Sequence, residues 1–332
     1  MDARTRRNAD SLKVAKLYYY QDRSQNEIAR IMSISRPTVS RLLRHARETG
    51  LVRIEIADPM TESDELAEGI RRRYGIEAVS VVPVHGVAPK DRLDVVAQAA
   101  ARHIEGIVHD DDVIGIGWGR TLYHIGTHLA PKDVRRVSVV QIKGSVSNTE
   151  TNTYGFESAN AFANAFHTLP QFLPLPVIFG NPQTKELVER ETYIRRILDL
   201  GRRANIAVFT VGTVRDSAML FRLGYLTGAE QRRLQETAVG DVVSRFIDVE
   251  GRLADEDVNA RTVGIDLEDL KAKPHSVLVS ASPAKVPAVH GALVAGYANT
   301  LIIDQIGAGE LLAFGRTEAT EAAGGAEAVG DD

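Results

Sequence analysis

Two helix-start signals eleven residues apart constrain this chain more than any other feature. Ser24-Gln25-Asn26-Glu27 has the form of a capping box, in which the serine hydroxyl takes the third helical N–H and the glutamate reaches back to the cap. The helix it opens carries Ile28, Ile31 and Met32 as its apolar face. After a short turn near Ser33-Ile34, Ser35 can cap a further helix, with Pro37 in the first turn where a missing N–H costs little. An earlier helix, with Leu12, Ala15, Leu17 and Tyr19, runs to about Tyr20. In the third helix Val39, Leu42, Leu43 and Ala46 share one face by spacings of three, four and seven. Arg36, Pro37, Ser40, Arg41, Arg44 and Arg47 fall largely on the other. Gly50 ends the helix, and Leu51 to Ile56 alternate as a strand would, the expected wing.

A capped helix, a tight turn and a second helix with an arginine-rich face form the helix-turn-helix pattern, whose second helix enters the major groove of double-stranded DNA. The first residues of that helix reach base edges and later ones reach phosphates. Arg36, Thr38, Ser40 and Arg41 are therefore expected near bases, Arg44 and Arg53 at the backbone, and Gln25 at a phosphate. The competing reading is an oligomerisation module with a solvated basic face. Such faces intersperse acids, and none occurs from Arg36 to Arg47. The net charge of -4 also conceals an asymmetry: residues 1–57 hold 12 Lys+Arg against 6 Asp+Glu, and the remainder 28 against 38. A basic head on an acidic body suits a DNA-binding module joined to a separate ligand or assembly domain.

At 332 residues the chain is long enough for two domains with sizeable cores. No cysteine is present, which excludes disulfides, a cysteine nucleophile and cysteine-ligated zinc. No apolar stretch approaches the roughly 18 residues needed to cross a bilayer. Met1 to Asp10 are polar and lack the apolar core of a secretory signal, so a cytoplasmic protein is expected, with no membrane partner. The organisation read from the chain is a helix-turn-helix domain over 1–57, a linker helix over 58–76, an α/β domain over 77–315, and a disordered tail over 316–332. Apolar strand candidates are Ala78–Val84, Asp112–Trp118, Val137–Lys143, Ile206–Gly212, Ser276–Ser280 and Thr300–Asp304. Helical patterns lie between several of them, as in a parallel sheet covered on both faces.

Within that domain, Asp112 to Thr121 reads as a strand entering a glycine turn and then a helix, whose free N–H groups suit a phosphate. Gly115, Gly117 and Gly119 give G-x-G-x-G rather than the dinucleotide fingerprint, and the next strand ends in Lys143 where an acid would be needed for NAD. No cofactor is expected. Glycines serving only a tight turn remain the plainer reading. Lys143 follows a buried strand at the edge where open α/β sheets bind ligands. A desolvated lysine there can attack a carbonyl to form a Schiff base, or serve as a salt-bridged group or phosphate counter-charge; these readings stay open. Thr210–Thr213, with Gly212 and Thr213, and Asp241 and Lys285 are further positions that either converge on the same edge or serve only loop solvation. His124 and His128 stand four apart on a helix, but the acid of a zinc motif is missing and no metal site is expected.

The residues now reached resemble the SorC family of sugar-responsive regulators. The likeness runs through Ser24-Gln25-x-x-Ile28-Ala29 and Ile34-Ser35-Arg36-Pro37-Thr38-Val39-Ser40-Arg41-Leu42-Leu43. It continues in Gly117-Trp118-Gly119-x-Thr121, Val139-Val140-Gln141-x-Lys143-Gly144, Leu173-Pro174-Leu175-Pro176, Phe209 to Asp216, Leu220 to Tyr225 and His290-Gly291-Ala292-Leu293. Within the family the likeness is greatest to members that govern deoxyribonucleoside catabolism. The resemblance implies a Rossmann-like body of the sugar-phosphate isomerase and deaminase type, used for sensing and not as an enzyme. It implies homo-oligomers, dimers or tetramers, that leave an operator when a phosphorylated sugar binds. The implied effector is deoxyribose 5-phosphate, held as a Schiff base on Lys143, with Gly119, Arg120 and Thr121 as the phosphate loop and Asp241 and Lys285 around the sugar. Another phosphorylated sugar or polyol is the alternative effector, and an isomerase or aldolase with a DNA-binding head is the alternative class. Against the latter, no paired acid and base stands poised for proton transfer.

Overall fold

The computed structural model describes residues 3–52 and 59–315. The chain divides into two compact units, residues 1–58 and 59–332. In the first, α1 (Ala3–Tyr19), α2 (Gln25–Met32) and α3 (Arg36–Glu48) enclose a small core of Val14, Ala15, Ile28, Val39, Leu43 and Ala46. Both caps are in place. Ser24 Oγ accepts from the Glu27 N–H at 3.3 Å while Glu27 Oε2 accepts from the Ser24 N–H at 2.9 Å. Ser35 Oγ accepts from the Thr38 N–H at 3.3 Å, with Pro37 in the first turn of α3. Ser33, at φ 54°, takes the left-handed turn between the two helices.

Ile31, expected on the apolar face of α2, lies outside, as do Leu12 and Tyr19 of α1. Leu12, Tyr19 and Ile31 are 40%, 42% and 55% exposed. Three short helices bury only a narrow stripe each, here Ser11, Val14 and Ala15 on α1 and Ile28 on α2. Leu51 and Val52, expected to begin a strand, instead form a bend in which the Val52 N–H donates to Ala46 O at 2.9 Å and closes the end of α3. The rest of the expected wing, Arg53 with it, and the expected tail lie outside the described residues.

The second unit opens with α4 (Pro59–Tyr74), β1 (Ala78–Val82), α5 (Arg92–Ile107), β2 (Val113–Ile116), α6 (Arg120–His128) and β3 (Ser138–Gln141). It continues through α7 (Gly155–Ala165), β4 (Pro170–Gln171), α8 (Pro182–Glu189), α9 (Thr192–Arg203), β5 (Ile206–Phe209), α10 (Met219–Arg222) and α11 (Gly228–Thr237). The hairpin β6 (Gly240–Val242) and β7 (Arg245–Ile247) is followed by α12 (Glu256–Arg261), α13 (Leu267–Lys271) and β8 (His275–Ser280). A 3-10 turn (Pro283–Lys285), α14 (Val286–Val294), β9 (Thr300–Asp304) and α15 (Gln305–Ala313) complete it.

Seven strands form one parallel sheet in the order β1-β9-β8-β5-β2-β3-β4. Side chains alternate across it. Ile206, Val208, Val277, Val279 and Ile302 pack with α5, α6 and α7 on one face. Ala207, Phe209, Leu278, Leu301 and Ile303 pack with α4, α14 and α15 on the other. With both faces covered, the strands carry near-continuous apolar runs, which is why they were legible in the sequence. Several ladders end before the apolar run does: β2 stops at Ile116, β3 at Gln141 and β5 at Phe209. The residues that follow, Trp118, Lys143 and Gly212 among them, leave the sheet for its carboxyl rim. Two-residue β4 and the β6–β7 hairpin had no separate signal in the sequence.

Candidate functional site

From β2 the chain winds through β3 to β4 on one side, then returns to β5 on the other side of β2. Connections that leave a strand in opposite directions open a crevice at its carboxyl end, the place where open α/β sheets bind ligands. A cavity of about 610 Å³ lies there. All eight body residues singled out from the sequence line it: Gly119, Arg120 and Thr121 after β2, Lys143 after β3, Gly212 and Thr213 after β5, Asp241 on β6, and Lys285 in the 3-10 turn.

Gly119 caps α6 with φ 122° and ψ 172°, a conformation that side chains rarely adopt. It turns the chain so that the first N–H groups of α6 lie at the crevice, with Thr121 buried and Arg120 exposed beside them. Free N–H groups and the positive end of the helix dipole favour an anion at this end.

In the same cavity Lys143 is 5% exposed, and its Nζ lies 3.8 Å from the centroid of the Trp118 ring. Trp118 is itself held by an Nε1–H bond to Gly144 O at 2.6 Å. Burial lowers the Lys143 ammonium to about 8, although the Asp241 carboxylate pulls the other way. Lys285 donates to Thr210 Oγ1 at 3.0 Å. It too is lowered to about 8, first by burial and then by the charges of Lys143 and Arg120, against Asp241. Burial raises Asp241, opposed by Lys143, by the Ser244 N–H that donates to its Oδ2 at 2.9 Å, and by Lys285. That hydrogen bond closes a turn in which Val243 and Ser244 both adopt positive φ, 45° and 73°. A β-branched residue there is strained, a cost of order 1–3 kcal/mol that the surrounding packing must offset. One carboxylate against Lys90, Arg120, Lys143 and Lys285 leaves the cavity a positive site.

Trp118, Met219 and Leu220 also line the cavity, as does Lys90 from the segment before α5. None was singled out as a site residue. Trp118 sat within the glycine motif and is the only tryptophan of the chain, a signal that was available. Lys90 gave none, because an exposed loop lysine is ordinary. His124 and His128 both turn to Asp94 Oδ1, at 3.4 and 2.8 Å, and so pin α6 to α5.

In the first unit Arg36, Arg41, Arg44 and Arg47 are exposed on α3, Ser40 and Thr38 are half-buried, and Gln25 opens α2. Thr38 Oγ1 is 2.8 Å from Ser35 Oγ and accepts from Arg41 Nη2 at 3.2 Å. The arginine is thereby pre-oriented along the start of α3. Arg53 lies outside the described residues.

Residues 58–313 match the Sugar-bind family model, a sugar-binding domain, and residues 9–49 match the model of sigma-70 region 4. The chain is 45% identical over 299 residues to the Deoxyribonucleoside regulator of Bacillus subtilis (strain 168), covering 89% of this chain and 94% of that protein. It is 28% identical over 304 residues to the Sorbitol operon regulator of Klebsiella pneumoniae, covering 89% and 94%. The crystal structure of the full-length Sorbitol Operon Regulator SorC from Klebsiella pneumoniae superposes with a TM-score of 0.70 at 26% identity, over 91% of this chain and 97% of that one. A domain of a possible sugar-binding transcriptional regulator from Arthrobacter aurescens TC1 gives 0.70 at 33% identity, over 77% and 100%. A helix-turn-helix head and a parallel-sheet body thus find their counterparts among regulators, and the chain belongs to the SorC family of sugar-responsive transcriptional regulators.

Proposed function

We propose that this chain represses genes of deoxyribonucleoside or deoxyribose catabolism and leaves its operator when deoxyribose 5-phosphate binds as a Schiff base to Lys143. The observation that carries the reading is one amine, Lys143, buried at the carboxyl rim, with its proton loosened by burial, in the cavity that the α6 N-terminus also lines. With a value of about 8, roughly one molecule in ten has a neutral amine at pH 7, against about one in three thousand for an ordinary lysine. The neutral nitrogen attacks the aldehyde carbon of the open-chain sugar, and the carbinolamine loses water to leave the imine. Asp241 and Lys285 line the same cavity as the amine. Gly119, Arg120 and Thr121 receive the phosphate, and Gly212 and Thr213 wall the crevice. The 45% identity to a deoxyribonucleoside regulator supports the choice of sugar.

On this reading residues 1–57 form the head that grips double-stranded operator DNA, 58–76 the connecting helix, and 77–315 the effector and oligomerisation domain. Arg36, Thr38, Ser40 and Arg41 face bases, and Gln25, Arg44 and Arg53 face phosphates. Dimers or tetramers place heads on the half-sites of an inverted repeat. Effector binding must discriminate between two states of the protein, and a typical coupling is about 1–3 kcal/mol.

The test combines three readings on one sample: Trp118 fluorescence, operator occupancy by anisotropy, and borohydride trapping followed by peptide mass analysis. Deoxyribose 5-phosphate should change all three, with the reduced adduct on Lys143 and absent in Lys143→Ala. No change in fluorescence or occupancy sinks the effector assignment. Release from the operator without an adduct sinks the covalent step and favours a polyol or other phosphorylated sugar.

A further inference from the structure

We propose that Arg245 is a positioning residue for the Lys143 amine: its guanidinium ties the hairpin that carries Asp241 to the segment that clasps the Lys143 backbone. The consequence for chemistry rests on the reading of Lys143 given above; the placement itself does not.

The clasp is made by residues 262–266. Gly264 bridges Lys143 in antiparallel fashion, the Gly144 N–H donates to Val263 O at 3.2 Å, and the Ile265 N–H donates to Ile142 O at 2.9 Å. The backbone of Lys143 is thus gripped on both sides by a strand-like segment outside the parallel sheet. The approach is close: a Cβ on Gly264, which sits at φ 141°, would meet Ile142 O at 2.6 Å and Lys143 Cα at 2.9 Å.

Arg245 holds that segment from behind. Its Nε donates to Ile265 O at 2.9 Å and its Nη2 to Gly264 O at 3.2 Å, while Nη1 donates to Asn259 Oδ1 at 2.5 Å. Asp266 pairs with Nη2 at 2.7 Å but is itself 68% exposed, whereas the Arg245 side chain is 3% exposed. The planar fork is therefore spent mainly on carbonyls, a use no lysine could reproduce. Arg245 stands on β7 opposite Val242, and Asp241 precedes Val242 on β6. One side chain consequently links the backbone of the amine to the strand bearing its carboxylate partner. Loosening the link should let water reach Lys143 and relieve the desolvation that loosens its proton. The charged groups facing that amine are Asp241 and Lys285, with Arg120 beyond Lys285.

Competitive acetylation of the full chain with trace acetic anhydride across pH, read lysine by lysine by mass spectrometry, tests this without any sugar. Arg245→Met should move the Lys143 midpoint upward by half a pH unit or more, and Lys285, which the clasp does not touch and which responds only through Asp241 and Lys143, by clearly less. Gly264→Ala, which pushes the clasp away from the other side, should do the same, and it decides alone if Arg245→Met does not fold. Asp266→Asn, which removes only the surface charge, should leave Lys143 unmoved. Equal shifts at Lys143 and Lys285, or none at either in both Arg245→Met and Gly264→Ala, would assign Arg245 to general packing and overturn the proposal. A chain that forms no sugar adduct but shows the selective shift would retire the covalent reading and leave the positioning role intact.

Discussion

A Cβ on residue 212 would stand 1.8 Å from Asp241 Oδ1, so Gly212 and Asp241 occupy the rim of the crevice as a matched pair. The bare glycine after β5 is what lets the carboxylate of β6 lie between the two amines. Gly240 serves the same approach, since a Cβ there would meet Gly212 O at 2.4 Å.

Gly212→Ala should therefore displace Asp241 while leaving the sheet intact. Effector affinity, measured by quenching of Trp118, should fall at least tenfold, about 1.4 kcal/mol, and thermal stability should fall by no more than about 1–3 kcal/mol. Unchanged affinity would mean that Asp241 does not bear on the ligand.

The value of about 8 for Lys143 sets the pH dependence of capture. Below that value the neutral amine grows about tenfold per pH unit, and above it the amine is mostly neutral. Initial rates of borohydride-trapped adduct should rise about tenfold from pH 6 to 7 and level off above about 8. A rise that continues to pH 10 would show that the amine is an ordinary one.

Stability should carry the same signature. Lys143 and Lys285 have folded values near 8 against an ordinary 10.5, so between these values the unfolded chain binds more protons and stability rises with pH. Below about 8 each buried ammonium costs the fold on the order of 3 kcal/mol, and the cost disappears by about 10.5. Urea midpoints taken from pH 8 to 10 should climb in the parent chain and climb less steeply in Lys143→Met. Parallel slopes would refute a depressed Lys143.

In the head, Arg44 and Arg41 should separate by the kind of contact they make. Arg44→Ala should weaken all DNA sequences alike and reduce the slope of log affinity against log salt by about 1. Arg41→Ala should cost about 1–3 kcal/mol on the operator alone and relax preference at one position. Identical effects on operator and random DNA for both variants would place Arg41 at a phosphate.

Ser24→Ala removes the hydroxyl that accepts the Glu27 N–H at the start of α2 and leaves the Ser24 N–H bond to Glu27 Oε2. Because the head's core is small, the loss of about 1 kcal/mol should appear in its own melting transition, followed by far-ultraviolet circular dichroism. An unshifted transition would show that the cap is dispensable.

The head and the strands of the body were legible because their signals are local. Caps act over three residues, the α3 face repeats every three or four, and buried parallel strands are apolar throughout. Even there, Ile31 was misplaced, since a local apolar period does not say how wide a stripe three short helices can cover. Lys143 and the glycine turn were legible as candidates, because a basic residue after an apolar strand marks the rim of a sheet. Their union was not. Residues near 119, 143, 212, 241 and 285 meet only because the chain reverses its winding between β2 and β5, and that order is a property of the whole sheet. The 3.8 Å seat of Lys143 on Trp118, the space left at Gly212 for Asp241, and the fork of Arg245 behind Gly264 all depend on atoms brought together from distant parts of the chain. Desolvation, which turns an ordinary lysine into a reactive amine, is a property of that enclosure, and it exists only after the layers have packed.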